Sequence, residues 1–299
     1  MRPGPGQLAW QPDRQTLLAQ DQQRVKDRRS GRLISFHRGA HRAHAPLRLF
    51  CFHHAGGAAS LFKNWGQCLD GTADVVAIQL PGREGRWQEA LCSDPDAMIE
   101  AIADDLQSAD DGRPCVLFGH SLGAALCFGV AQALWERGAP LLAGLILSAG
   151  APFHSALAGL DPAPLDDDAL LELVLSWGGI SPEMLRHADL MRGMLARLRS
   201  DLTLAHALYQ RQAGLAALPV PIVAMGGSED PVVPVADLAT WSRFTSRNFD
   251  HHVLPGGHFF LRDEQALFPV LSRVIASLSP SLPGFQSPSL RSEHVQYAA

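Results

Sequence analysis

The chain has no pair of cysteines spaced C-x-x-C, and its five cysteines (Cys51, Cys68, Cys92, Cys115 and Cys127) are odd in number. This excludes the paired framework of a small secreted domain and points to a reducing compartment. Two of the five lie in apolar strand-like runs, where a free cysteine behaves as a small hydrophobe. No apolar run reaches the roughly 18 residues that span a bilayer, and the first residues lack the apolar core of a signal peptide. The expectation is a cytoplasmic protein without a membrane partner. A basic excess is also missing: a net charge of −5 gives no whole-chain case for nucleic acid. There is no internal repeat. No cluster of Cys, His and Asp has metal-ligand spacing, so no metal site is expected.

What is present is a chain of 299 residues, 46% hydrophobic, long enough for a sizeable core in one large α/β domain or two small ones. Its charge is uneven. Nine of the 25 Lys/Arg but only three of the 30 Asp/Glu fall in residues 1–45, which leaves a net of −11 for the remainder. Residues 1–32 are rich in Gln, Arg, Asp, Gly and Pro and read as a disordered basic tail. Residues 281–299 read as a flexible C-terminal tail. Leu33–His37 is a short segment suited to docking on a sheet edge.

Between the tails, short β-rich runs alternate with helical patterns. The runs are Leu47–Phe52, Asp74–Leu80, Cys115–Phe118, Ala143–Ser148, Pro221–Met225 and Phe249–Leu254. The helical stretches are roughly 60–69, 96–108, 122–137, 236–245 and 263–278. Continuous apolar strands separated by helices predict a mostly parallel sheet covered on both faces, within a domain over 33–280. One segment breaks the alternation. Residues 152–217 hold no good strand, while Asp166–Trp177 and Glu183–Tyr209 have helical spacing of apolar residues. This reads as a helical lid inserted between two strands, either covering an acyl pocket or simply packing.

The chemistry is carried by Gly119-His120-Ser121-Leu122-Gly123. Here G-x-S-x-G follows an apolar strand and opens a small-residue helix, the context of a nucleophile elbow. A serine hydroxyl needs a base to take its proton. In the elbow-bearing fold, acid and base follow the serine in that order. Asp230 follows the run PIVAM, and His258 follows the run HHVL. Both stand at C-terminal strand ends, where ligands bind in open α/β sheets. Asp230 is favoured over Glu229 as the acid. His258 is favoured over His251 and His252, which sit inside a strand run, and over His120, whose place beside the elbow reads as packing.

The loop His53-His54-Ala55-Gly56-Gly57 follows the first long strand, where the second half of an oxyanion hole is expected. The expected donors are the backbone N–H groups of Ala55 and Leu122, with His54, Gly56 and Gly57 shaping the loop. The paired histidines have no further ligands at metal spacing.

Taken together, FHHAGGAASLFKNW, AIQLPGREGRW, FGHSLGAAL and LPGGHFFL resemble a type II thioesterase of nonribosomal peptide and polyketide synthesis, over about residues 45–275. The resemblance implies an α/β-hydrolase fold with a helical lid. It also implies a stand-alone editing enzyme that hydrolyses aberrant or stalled acyl groups from the phosphopantetheine arm of carrier proteins. Its triad maps onto Ser121, Asp230 and His258, and its oxyanion loop onto His54-Ala55-Gly56-Gly57. No cofactor is implied, and a monomer is expected. His53 stands where the family usually has proline, which frees φ and adds a backbone donor. The basic N-terminal tail also lies outside the family pattern, as a partner arm or an over-extended start. Arg83 and Glu84 belong to the resemblance without an assigned role; a loop ion pair or turn and a substrate contact are both open. Two other readings stand beside it: a general serine esterase or acyl-CoA thioesterase, and a non-catalytic hydrolase-fold binding protein.

Overall fold

A computed structural model describes residues 32–35, 45–138, 142–152, 160–179, 188–212 and 214–279. The expected C-terminal tail and all of the expected N-terminal tail but Arg32 lie outside the described residues. Arg32 is held on the domain, its carbonyl accepting from the Gln79 N–H at 2.6 Å.

The strands are β1 (Leu33–Ser35), β2 (Arg48–Phe52), β3 (Asp74–Ile78), β4 (Cys115–His120), β5 (Leu142–Ser148), β6 (Ile222–Gly227) and β7 (Phe249–Leu254). They form one seven-stranded sheet in the order β1-β3-β2-β4-β5-β6-β7. All pairs are parallel except β1 on β3, so the segment expected at a sheet edge does dock there; Phe36 and His37 lie outside the described residues. The helices are α1 (Pro95–Ser108), α2 (Leu122–Glu136), α3 (Asp167–Ser176), α4 (Ala188–Gln212) and α5 (Glu264–Leu278). The stretch expected as one helix over 60–69 divides into a 3₁₀ turn, Ala59–Phe62, and a single α turn, Trp65–Cys68. The stretch expected over 236–245 is 3₁₀ over Val235–Phe244.

Strand periodicity explains the two-sided core. Phe50, Phe52, Val76, Ile78, Leu117, Leu145 and Leu147 face α1, α2 and α4. Their neighbours Leu49, Cys51, Val75, Ala77, Val116, Phe118 and Ile146 face Trp65 and α5 on the other side. α2 is buried along almost its whole length, as a helix apolar all round must be. Three helices begin on aspartate caps: Asp94 accepts from the N–H groups of Asp96 and Ala97, Asp166 from Ala169, and Asp263 from Gln265 and Ala266. The five cysteines are free thiols. No helix among the described residues is long and apolar enough to cross a membrane.

The segment between β5 and β6 contains α3 and α4 and no strand among its described residues; residues 183–187 of the expected second helix lie outside them. The topology brings the C-terminal ends of β2, β4, β6 and β7 to one edge of the sheet, beneath these two helices.

Candidate active site

Ser121 sits between β4 and α2 with φ 58 and ψ −117, a conformation that costs about 1–3 kcal/mol in a residue with a side chain. Its surroundings hold it there. The Ser121 N–H donates to the Ser148 carbonyl at 2.8 Å, and its own carbonyl accepts from the Ala124 N–H at 2.8 Å. The buried Tyr209 hydroxyl on α4 donates to the same carbonyl at 3.3 Å. The crowding explains the glycines on either side. A Cβ on Gly119 would lie 2.0 Å from the Gly123 oxygen, and one on Gly123 would lie 2.2 Å from the Phe52 oxygen.

His258 reaches the serine from the loop after β7. Its Nε2 is 3.0 Å from Ser121 Oγ, and its Nδ1 lies 2.9 and 3.1 Å from the Asp230 carboxylate oxygens. With Nδ1–H donating to Asp230, Nε2 is left to accept the serine proton. Asp230 Oδ1 also accepts from the N–H groups of Val232 and Val233 at 2.8 and 3.1 Å. The carboxylate is therefore aimed by its own turn. Register supplies the rest: Gly227 pairs with Leu254, and the Glu229 N–H donates to the Gly256 carbonyl, so the loops after β6 and β7 close on each other.

The rival residues lie elsewhere. Glu229 is exposed, His251 is exposed and His252 half-buried on the edge strand β7. His120 is buried, with Nδ1 2.8 Å from Ser148 Oγ. His53 and His54 turn their Nδ1 atoms onto the carbonyls of His54 and Ala55, each at 2.8 Å. No group of three or more His, Cys, Asp or Glu among the described residues could hold a metal ion.

The loop after β2 lies beside the elbow because Phe52 pairs with Gly119. The His54 carbonyl accepts from the Gly57 N–H at 3.0 Å and from His53 Nδ1. In a trans peptide the N–H points opposite to the carbonyl, so the Ala55 N–H is turned away from those bonds. Among the described residues it donates to no protein group, and Ala55 lines the same pocket as Ser121. The Leu122 N–H opens α2 and has no intrahelical acceptor. Both expected donors are thus unspent beside Ser121. The pocket is otherwise walled by Val174 and Trp177 near α3, by Met194, Leu198 and Leu202 of α4, and by Phe259.

Two contributors were not found from the sequence. Asp201 on α4 accepts from the Gly56 N–H at 2.7 Å, and Tyr209 braces the elbow. Each is one polar residue in an amphipathic helix and carries no local signal. Arg83 forms a buried ion pair with Asp201 of α4.

Burial holds three histidines of this site neutral. It pushes His53 and His120 well below the ordinary value and takes His54 from 6.5 to about 4, with nearby His258, Arg262 and Arg83 acting in the same direction on His54. A histidine depressed on folding takes its proton first in the unfolded chain. Its stabilisation is therefore complete above about pH 6.5 and is lost as pH falls toward about 4. For His54 alone the loss is about 3 kcal/mol. Urea midpoints are expected to fall steadily between pH 7 and 4.5; a flat profile over that range would contradict the buried neutral state.

The Thioesterase domain family model matches residues 47–278. Among curated proteins, the chain is 33% identical over 223 residues to Thioesterase PikA5 of Streptomyces venezuelae, covering 73% of this chain and 76% of that one. It is 32% identical over 221 residues to the gramicidin S biosynthesis protein GrsT of Aneurinibacillus migulanus, covering 74% and 85%. Among solved structures, the RedJ thioesterase from the prodiginine pathway of Streptomyces coelicolor is 33% identical with a TM-score of 0.66, over 80% of this chain and 91% of that one. The family match runs from the start of β2 to the end of α5, so the whole site lies inside it, and the chain belongs to the thioesterase domain family.

Proposed function

We propose that the chain is a stand-alone serine thioesterase that hydrolyses aberrant or stalled acyl groups from phosphopantetheinyl carrier proteins of nonribosomal peptide or polyketide synthesis. The observation that carries the hydrolase reading is the hydrogen-bonded series Ser121–His258–Asp230, which opens into a pocket lined also by Ala55. Relatives named for gramicidin S biosynthesis and for the prodiginine biosynthetic pathway support the carrier reading.

Ser121 Oγ attacks the thioester carbonyl as His258 Nε2 takes its proton. The oxyanion is stabilised by the N–H groups of Leu122 and Ala55. Collapse expels the thiol, which receives the proton from His258; with a parent pKa near roughly 8.5 it leaves readily. Water, deprotonated by His258, attacks the acyl-serine. The acid departs and Ser121 regains its proton. No cofactor enters these steps. An isolated binding protein has no use for this bonded series, which sets that reading aside.

Carrier docking is assigned to apolar lid surface or a local basic patch. The body is acidic, and long-range attraction to an acidic carrier is not available to it. The same acyl group presented on a carrier, on coenzyme A and as a p-nitrophenyl ester tests the proposal. The carrier substrate is expected to lead in kcat/KM by about tenfold or more, equivalent to about 1.4 kcal/mol of extra transition-state binding. Equal or faster turnover of the free esters would reduce the function to a general esterase or acyl-CoA thioesterase.

A further inference from the structure

The steps above use nothing from Leu80-Pro81-Gly82-Arg83-Glu84, yet Arg83 is one of the most elaborately bonded side chains in the molecule. It is buried beside the loop after β2, and its partner Asp201, also buried, stands 118 residues later on α4. The pair is bidentate, Nη1 to Oδ2 and Nη2 to Oδ1, both at 2.7 Å. Arg83 Nε donates to its own loop at the Pro81 carbonyl (3.1 Å), and Nη1 donates also to the Gly57 carbonyl (3.0 Å). Asp201 Oδ2 accepts the Gly56 N–H at 2.7 Å. From the far side, Gln79 Oε1 accepts the Ala59 N–H at 2.7 Å while its Nε2 donates to the Arg83 carbonyl at 3.0 Å.

A buried ion pair adds little net stability, because desolvation cancels most of the attraction and apolar residues of similar size replace it at no loss. What this pair does that an apolar pair would not is hold backbone. Gly56 has φ +74, and two consecutive glycines have many conformers of similar energy. The Ala55–Gly56 peptide is held at both ends, its carbonyl by His54 Nδ1 and its N–H by Asp201. The peptide after Gly57 is held by Arg83. Among the described residues the Ala55 N–H, between these held peptides, donates to no protein group. Leu198 of α4 packs against Gly56, where an added Cβ would stand 3.3 Å from its Cδ1. The helix that walls the acyl pocket through Met194, Leu198 and Leu202 thus also carries the acceptor that sets the loop.

We propose that Arg83 and Asp201 are positioning residues that clamp the oxyanion loop, so that seating α4 over the pocket and aiming the Ala55 N–H are one structural event. The inference rests on the serine hydrolase reading above. In Asp201→Ala, kcat per folded molecule is expected to fall roughly 10- to 100-fold with KM within about threefold, because the interaction lost acts at the oxyanion. Asp201→Asn keeps an oxygen for the Gly56 N–H and is expected to retain more activity than Asp201→Ala.

The deciding variant is the double substitution Arg83→Met with Asp201→Leu. It removes both charges together and is expected to melt near the parent temperature while turning over as slowly as Asp201→Ala. Affinity for an acyl trifluoromethyl ketone, which forms a tetrahedral oxyanion on the serine, is expected to drop in the same proportion as kcat/KM. Unchanged kcat and ketone affinity in the folded double variant would overturn the clamp and leave the pair a brace. Parent turnover that survives Ser121→Ala would instead overturn the hydrolase reading itself, so the two failures are distinguishable.

Discussion

Ser121→Ala is expected to remove turnover of any acyl thioester by roughly four to six orders of magnitude, without loss of the fold. The substitution deletes one oxygen and keeps the Cβ, so the elbow, with φ 58, is no more strained than before. Among the described residues the hydroxyl bonds to one side chain, His258 at Nε2, and that bond is lost. His258 remains on Asp230, and the Leu122 and Ala55 N–H groups remain unspent, so a water at the vacated position would still meet a base and an oxyanion hole. That residual catalysis sets the floor for kcat. The check is steady-state hydrolysis with mass spectrometry of the trapped acyl-enzyme. The parent is expected to gain the acyl mass on Ser121 and the variant to gain nothing. Turnover within about tenfold of the parent would mean that another group is the nucleophile.

Gly123→Ala is expected to have the largest effect on stability, more than about 4 kcal/mol, out of a total of about 5–15 kcal/mol for a typical domain. An added Cβ would lie 2.2 Å from the Phe52 oxygen, 2.7 Å from its carbonyl carbon and 2.9 Å from the His53 oxygen. These are backbone atoms where the interior strand β2 runs into the loop that follows it. They cannot swing aside as a side-chain tip can. Relief requires α2 to lift from the sheet, which would break the packing of a helix buried along most of its length. The expected result is little soluble protein, or a cooperative melt shifted down by more than 10 °C, roughly. Gly85→Ala is the control, since an added Cβ there meets nothing within 4 Å and should be close to neutral. A Gly123→Ala melt within about 2 °C of the parent would show that helix and strand tolerate more separation than the contact allows.

The two predictions concern neighbouring residues, and both depend on one local pattern that is legible in the chain. Strand, G-x-S-x-G and small-residue helix form a continuous signal: the apolar run specifies β4, the glycines permit the crossing, and the serine can occupy only the turn between them. The other strands are legible for the same reason, since apolar runs between turn residues are a local property. So are the places of Asp230 and His258 just past two of those strands.

The finer choices were less legible. Between Glu229 and Asp230 the sequence offers two carboxylates one residue apart. The choice is made by a turn in which Asp230 accepts from Val232 and Val233 while Glu229 projects outward. The 3₁₀ character of Val235–Phe244 was not apparent either, because its apolar spacing also suits an α-helix.

By itself, then, the sequence determined the alternation of strands and helices, the elbow, and the order of serine, acid and base, because each is written in residues adjacent along the chain. Only the tertiary structure decided what holds the loop after β2. Arg83 and Asp201 are 118 positions apart, and the loop whose backbone they both bond lies before both. Nothing in the spacing of an arginine in a loop and an aspartate in a helix announces that they meet. Their pairing follows from the parallel register that sets β2 between β3 and β4, and from the packing that lays α4 across the strand ends, and both are properties of the assembled sheet.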